Sequence, residues 1–266
     1  MRKPEPDSAQ YSAPALEKGL DILELLADAQ PGLTQNQIAA RLGRSASELF
    51  RMVEVLARRG WLARDPADGS YRLTLRMFEL AHRQPSVRRL LAVALPRMHE
   101  LARATSQSNH LVVHHDRRIL VLAQSDSPEA MGFSVRLGAH FPFRADRVSC
   151  RVLAAFQSPR RRAELIAEMR RNDPKPPAVA VLARRVASIT ARGHEQRVSD
   201  TMPGITDLCF PIFDHGGHAI ATLTQPYLKQ RDVKLSIVEA RMAQARAAQA
   251  ISRELGAAST PMHSSA

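Results

Sequence analysis

Between Pro14 and Leu73 the chain is broken at intervals that leave room only for three short helices and a hairpin. From Ala15 to Ala27 the residues Leu16, Leu20, Leu23 and Leu26 recur at three- and four-residue steps, which predicts a helix with one buried face. Gly19 lies within it, either at a close crossing or at a solvent-exposed position. Gln30-Pro31-Gly32 ends that segment, Thr34 can cap a second helix running to Leu42, and Gly43 terminates the second. Ser45 or Ser47 can cap a third helix to about Arg59, with Leu49, Val53 and Leu56 turned inward. Trp61-Leu62-Ala63 and Tyr71-Arg72-Leu73 then flank Asp68-Gly69, a step that favours a tight hairpin turn. Three helices followed by a hairpin predict a winged helix-turn-helix.

The third helix carries chemistry as well as a core face. Arg44, Ser47, Glu48 and Arg51 share the side opposite Leu49, Val53 and Leu56, so a polar stripe is free to enter a major groove. Arginines donate to guanine edges or phosphates, Glu48 can accept from cytosine N4 or orient Arg44 and Arg51, and Ser45 and Ser47 can bond either bases or phosphate. A solvated Arg-Glu pair would explain the same residues more blandly. Thr34 and Gln35 at the second helix start join this candidate DNA-binding set, as do Arg64 and Arg72 on the wing. The charge of +12 does not make this argument. Through Arg83 there are 12 basic and 11 acidic residues, whereas the remainder holds 26 and 15.

The rest of the chain reads as a second domain. The segment from Leu75 to Ala81 is helical in pattern, Pro85 interrupts it, and a long helix follows to about Ala104. Short alternating runs at 108–115, 118–125, 132–137, 208–213 and 218–224 predict strands. Helices at 147–156, 159–171 and 178–192 separate the third and fourth, and a last helix is expected from about Arg231 to Leu255. This predicts an α+β fold on an antiparallel sheet. The expected organisation is a disordered arm (1–13), the winged helix-turn-helix (14–76), connecting helices (77–96), a second domain (97–255) and a disordered tail (256–266). Two cysteines, no apolar stretch long enough to span a bilayer and a polar start predict a soluble cytoplasmic protein with no membrane partner.

The stretches ALEKGLDILELLA, LTQNQIAARLGRSASELFRMVEVLARRGWLARD and GSYRLT resemble the winged helix-turn-helix of the IclR family of bacterial transcriptional regulators. The later LAVALPRMHELARATSQSNHLVV, VRLGAHFPF, RVSCRVLAAF and PGITDLCFPIFDHGGHAIATLTQP are similar in the same order, so the resemblance covers about Ala15 to Leu255. It implies a C-terminal GAF-like domain for a small organic ligand, and a repressor or activator of catabolic operons acting as a homodimer or homotetramer on double-stranded operator DNA.

The resemblance also implies where an effector would lie: at the helix start after Gly138-Ala139-His140-Phe141-Pro142 and against two late strands. That gives Phe133, Phe141, Arg144, Arg147, Val148, Ser149, Asp207, Cys209, Thr222 and Thr224 as effector-binding candidates. Free N–H groups near Val148 and Ser149 would suit a carboxylate. The chain departs from the family's His-x-Thr-Ala-x-Gly pattern there, with one extra residue, arginine for the His and for the Thr, and Cys150 for the Gly. Asp207 stands where a cysteine is frequent, and Thr222 and Thr224 where two serines alternate onto the pocket face. An acid at Asp207 points to an aromatic or hydroxy acid rather than a small oxoacid. A ligand-independent regulator with a degenerate pocket is the alternative.

No G-x-S-x-G elbow presents Ser149 or any other nucleophile, so an enzyme is not expected. Non-specific nucleoid packing is opposed by Glu48 and by the second domain. The ten histidines, among them His110, His114, His215 and His218, show no ligand spacing, so neither a metal nor a cofactor is expected.

Overall fold

The computed structural model of the chain describes residues 13–229 and 235–258. It divides into two compact units, one ending at Pro85 and the other beginning at Ser86. Most of the arm and tail expected at 1–13 and 256–266 lies outside the described residues.

The first unit holds α1 (Pro14–Ala27), α2 (Gln35–Arg41), α3 (Ala46–Arg58), the antiparallel pair β1 (Leu62–Arg64) and β2 (Tyr71–Leu73), and α4 (Arg76–Arg83). Local chemistry sets its boundaries. Thr34 accepts the Gln37 N–H while the Gln37 carboxamide accepts the Thr34 N–H, a reciprocal box that starts α2. Ser45, and not Ser47, caps α3 by accepting the Glu48 N–H. Leu33 and Tyr71 exchange backbone hydrogen bonds of 3.1 and 2.8 Å, tying the segment before α2 to the wing. Gly32 permits this approach, since a Cβ there would stand 2.9 Å from the Tyr71 carbonyl oxygen.

Ile22, Leu26, Leu33, Ile38, Leu49, Val53, Leu62 and Tyr71 form the core of this unit. One expectation fails in detail. Leu16 and Leu20 are 63% and 50% exposed, and Ile22 is the buried residue beside Leu23 and Leu26. At about 100° per residue, Leu20 lies about 200° from Ile22 and so outside the buried arc. Among the described residues nothing lies within 4 Å of a Cβ built on Gly19, so no close crossing within them explains it.

The second unit comprises α5 (Pro85–Thr105), β3 (Asn109–His115), β4 (Arg118–Ser125), β5 (His140–Pro142), α6 (Val148–Ala155), α7 (Pro159–Arg171), α8 (Val179–Arg192), β6 (Glu195–Val198), β7 (Ile205–Phe213), β8 (Ala219–Leu228) and α9 (Ile237–Glu254). Its six strands form one antiparallel sheet in the order β5-β4-β3-β8-β7-β6. Successive side chains point to opposite faces. Leu111 and Leu223 therefore pack with Met98 of α5 and Ile251 of α9, while Val112 joins Val152 of α6 and Leu182 of α8.

Three expectations are corrected. Residues 132–137 form no strand. The chain turns at Gly138 (φ +77°), and His140–Pro142 pairs with β4 instead. β6 was not expected, since Glu195-Gln196-Arg197-Val198 has little apolar content, yet it pairs along the edge of β7. Arg231 lies outside the described residues. α9 begins at Ile237, where Ser236 and Glu239 form a second reciprocal cap.

Candidate DNA-reading face and effector cavity

On α3, Ser47, Glu48 and Arg51 are exposed while Leu49 and Val53 are fully buried, so the predicted division of the helix into two stripes is present. The polar stripe is not uniform. Glu48 accepts from Lys18 of α1 at 2.5 Å and from Arg44 at 3.2 Å, and Arg44 also stands 3.9 Å from Asp21. The Lys18 hydrogen bond, with charge from Arg44, holds the Glu48 carboxyl below its ordinary range. Glu48 therefore orients Arg44 but not Arg51, and Lys18 enters from a helix that sequence spacing could not bring to it. Arg51 makes no hydrogen bond or ion pair among the described residues.

Other members of the set have local duties. The Ser45 hydroxyl is spent on the α3 cap and lies 3.2 Å from the Ser47 hydroxyl. Gln35 donates to the Ala46 carbonyl at 3.0 Å, fixing α2 against the start of α3. Thr34 serves the α2 cap. On the wing, the Arg64 guanidinium lies 5.9 Å from the Tyr71 ring centroid and Arg72 is 3.7 Å from Asp65.

In the second unit a cavity of about 430 Å³ opens between the α6 N-terminus and the sheet. Phe133, Phe141, Arg147, Val148, Ser149, Asp207 and Thr224 of the predicted set line it. No side chain caps α6, and no protein acceptor takes the N–H groups of Val148 and Ser149 among the described residues. Ser149 and Thr224 hydroxyls stand 3.0 Å apart, bridging α6 to β8. Arg147 lies over the Phe141 ring at 4.5 Å. Burial pushes the Asp207 carboxyl up, against a Ser199 hydrogen bond and the charges of Arg151 and Arg147.

Three predicted residues are not in the lining. Arg144 turns to Asp146 at 2.5 Å. Cys209 is fully buried and receives the Thr224 hydroxyl at 3.2 Å, with burial pushing its thiol to about 12. Thr222 is also fully buried, two residues along β8 from Thr224. Parity places both threonines on one face, but only Thr224 stands at the cavity, because β8 runs on beneath α6.

Sequence reasoning missed His110, Ser199, Thr201 and Met202 in this lining. His110 pairs across β3 and β8 with Thr224, and burial pushes its imidazole down to about 4, so it is neutral at pH 7. It also missed Arg151, wholly buried on α6, whose Nε lies 3.0 Å from both carboxylate oxygens of Glu195. No group of three potential metal ligands occurs among the described residues. His114 instead bonds Glu168 at 2.7 Å.

A winged helix-turn-helix and a separate sheet domain with a part-apolar cavity define a ligand-responsive DNA-binding regulator. The chain belongs to the IclR family: residues 15–66 match the IclR helix-turn-helix domain and residues 83–253 the bacterial transcriptional regulator IclR C-terminal domain. It is 27% identical over 249 residues to the glycerol operon regulatory protein of Streptomyces coelicolor, covering 91% of this chain and 96% of that one. The Thermotoga maritima IclR structure shares the fold, with a TM-score of 0.73 at 21% identity over 91% of this chain and 98% of that one. An IclR homolog from Microbacterium hydrocarbonoxydans, complexed with 4-hydroxybenzoate, is 25% identical with the same TM-score and the same coverage. The protein is thus a DNA-binding transcriptional regulator of a family whose members respond to small-molecule effectors. No helix among the described residues is long and apolar enough to cross a membrane.

Proposed function

We propose that this regulator acts in the cytoplasm as a homo-oligomer, reading its operator through α3 and changing operator affinity when an aromatic hydroxy acid enters the second-unit cavity. The observation that carries the effector reading is the uncapped α6 N-terminus opening onto a largely apolar cavity that also presents Asp207 and Thr224. Free N–H groups and the positive end of a helix attract a carboxylate. Val112, Ile119, Val121, Phe133 and Phe141 suit a ring, and Asp207 calls for a donor such as a hydroxyl. The 4-hydroxybenzoate of the Microbacterium relative combines all three groups.

Calorimetry on the full chain should show 4-hydroxybenzoate binding about tenfold more tightly than benzoate, since one charge-assisted hydrogen bond is worth about 1.5–3 kcal/mol before desolvation. Asp207→Leu should erase that preference. Failure of both acids to bind at millimolar concentration would overturn the reading. For regulation the ligand must also prefer one DNA-binding state: a hundredfold preference corresponds to about 2.7 kcal/mol of coupling.

Oligomerisation is supported by apolar residues that the first unit leaves uncovered. Leu16 and Leu20 on α1, and Met77, Phe78 and Leu80 on α4, are all at least 40% exposed, and α4 buries no residue. Monomeric proteins seldom present so many large apolar side chains within one small unit. Two copies on two half-sites would combine two weak readings into one specific site. Light scattering should give at least a dimer for the wild-type chain, and Leu20→Glu with Phe78→Glu should weaken association. A monomer mass with and without DNA would refute this.

A further inference from the structure

The charge of this chain is not where its reading helix is. The first unit is almost neutral, whereas residues 159–192 alone carry nine Lys and Arg against three Asp and Glu, half of the formal net charge of +12. These residues are α7, α8 and the loop between them, and the two helices pack on each other and on α6. None of them lines the effector cavity.

The three acids are already engaged. Glu164 pairs with Arg160 at 3.2 Å and with Arg161 at 3.0 Å. Glu168 is buried against His114, and Asp173 accepts the Lys175 backbone N–H at 2.9 Å. No acid lies on α8 itself. Arg184, Arg185 and Arg192 are exposed there, and their guanidinium groups make no hydrogen bond or ion pair among the described residues. Leu182, Val186 and Ile189 hold the opposite side of α8 in the core. Arg185 and Arg192 stand two turns apart on one flank, about 10 Å along the axis, with Arg184 beside them. Arg171 at the end of α7 is likewise exposed and without a partner among the described residues.

We propose that the outer face of α7 and α8 is a second, sequence-independent contact for duplex DNA, supplied by the effector unit. This rests on the chain being a DNA-binding regulator. Non-specific affinity comes from phosphate neutralisation and counterion release, and a reading unit with 12 basic and 11 acidic residues supplies little net charge for it. Arg184, Arg185 and Arg192 of α8 and Arg171 of α7 are arginines suited to phosphate oxygens, with no carboxylate partner among the described residues. A membrane surface fits less well. Val179 is the sole large apolar side chain exposed on these two helices, and an interfacial helix needs an apolar face to insert.

The test is the salt dependence of binding by the full chain to a duplex of about 60 base pairs of unrelated sequence, followed by fluorescence anisotropy between about 50 and 200 mM NaCl. Arg184→Gln, Arg185→Gln and Arg192→Gln together should reduce the slope of log affinity against log salt by about 0.9 per lost contact, so by up to about 2.7 per chain. The corresponding triple lysine variant should retain the slope, because the charge is kept. If the glutamine triple variant fails to fold, Arg192→Gln alone should still lower the slope by about 0.9. Equal slopes for wild type and folded glutamine variants would overturn this proposal alone, as would an unchanged DNA slope with lost binding to phosphatidylglycerol vesicles. A wild-type chain that binds no duplex at all would overturn the DNA-binding reading and this proposal with it.

Discussion

Glu195→Ala is expected to destabilise the second unit by about 3–5 kcal/mol, the cost of leaving a buried charge without its counter-ion. Arg151 is fully buried on α6, and Glu195 opens β6 with only 5% of its surface exposed. The Arg151 Nε reaches both Glu195 oxygens at 3.0 Å, its Nη1 donates to the Ala145 carbonyl, and Asp200 lies 3.8 Å from Nη1. The Nη2 atom is buried with no partner among the described residues, so that side of the guanidinium contributes nothing to offset the loss. Removing Glu195 leaves Asp200, 31% exposed in its side chain, as the nearest carboxylate.

Two optical probes separate this effect from general damage. Trp61 is the chain's one tryptophan and lies in the first unit, so its fluorescence should report an unaltered transition there. Far-UV circular dichroism should instead show the second unit unfolding at lower urea. Replacing both partners, Arg151→Met with Glu195→Leu, should recover most of the loss, because no bare charge is then left in the interior. A loss below about 1 kcal/mol for Glu195→Ala would mean that water or Asp200 compensates Arg151 and that the pair is not structural. Effector affinity should fall as well. Arg151 holds α6, whose first turn lines the cavity, to the stretch from Glu195 to Asp200, which leads into the lining residues Thr201 and Met202.

Arg51→Ala is expected to remove about 1–3 kcal/mol of discrimination between operator and unrelated duplex, roughly 5- to 150-fold, if Arg51 donates to a base edge. It is exposed on α3 and carries no internal partner among the described residues, so its truncation should leave stability nearly unchanged. Footprinting at fixed salt measures the first quantity and a melting curve the second. Loss of affinity for operator and unrelated duplex by the same factor would make Arg51 a phosphate contact. Lys18→Met gives the complementary result. Freed of Lys18, Glu48 would keep only Arg44, and the charge presented by the stripe would become more negative, lowering affinity for any duplex.

The elements that could be read directly from the sequence are those whose causes lie within a few residues of one another. Thr34 with Gln37, Ser45 with Glu48, and the Asp68-Gly69 turn are local arrangements, and the period of Leu49, Val53 and Leu56 marks the inner face of α3 without further information. The same holds for α6, α7 and α8, whose expected limits lie within a residue or two of those observed. Residues 132–137 misled because alternation is shared by strands and by extended loops, and only the turn at Gly138 decides which segment reaches β4.

At the two sites the division is the same. The sequence by itself determined which residues occupy the outer stripe of α3, because a helical period assigns faces, while the family resemblance implied that the α6 start faces a cavity. Tertiary structure alone decided that Lys18 holds Glu48, that His110 stands across from Thr224, that Arg151 lies buried on Glu195, and that Thr224 rather than Thr222 reaches the cavity. Three of these are contacts between residues 30 or more positions apart, and the fourth depends on how far α6 overlies β8. Such distances are set when packed helices and a closed sheet register bring remote segments together, and no local period encodes them.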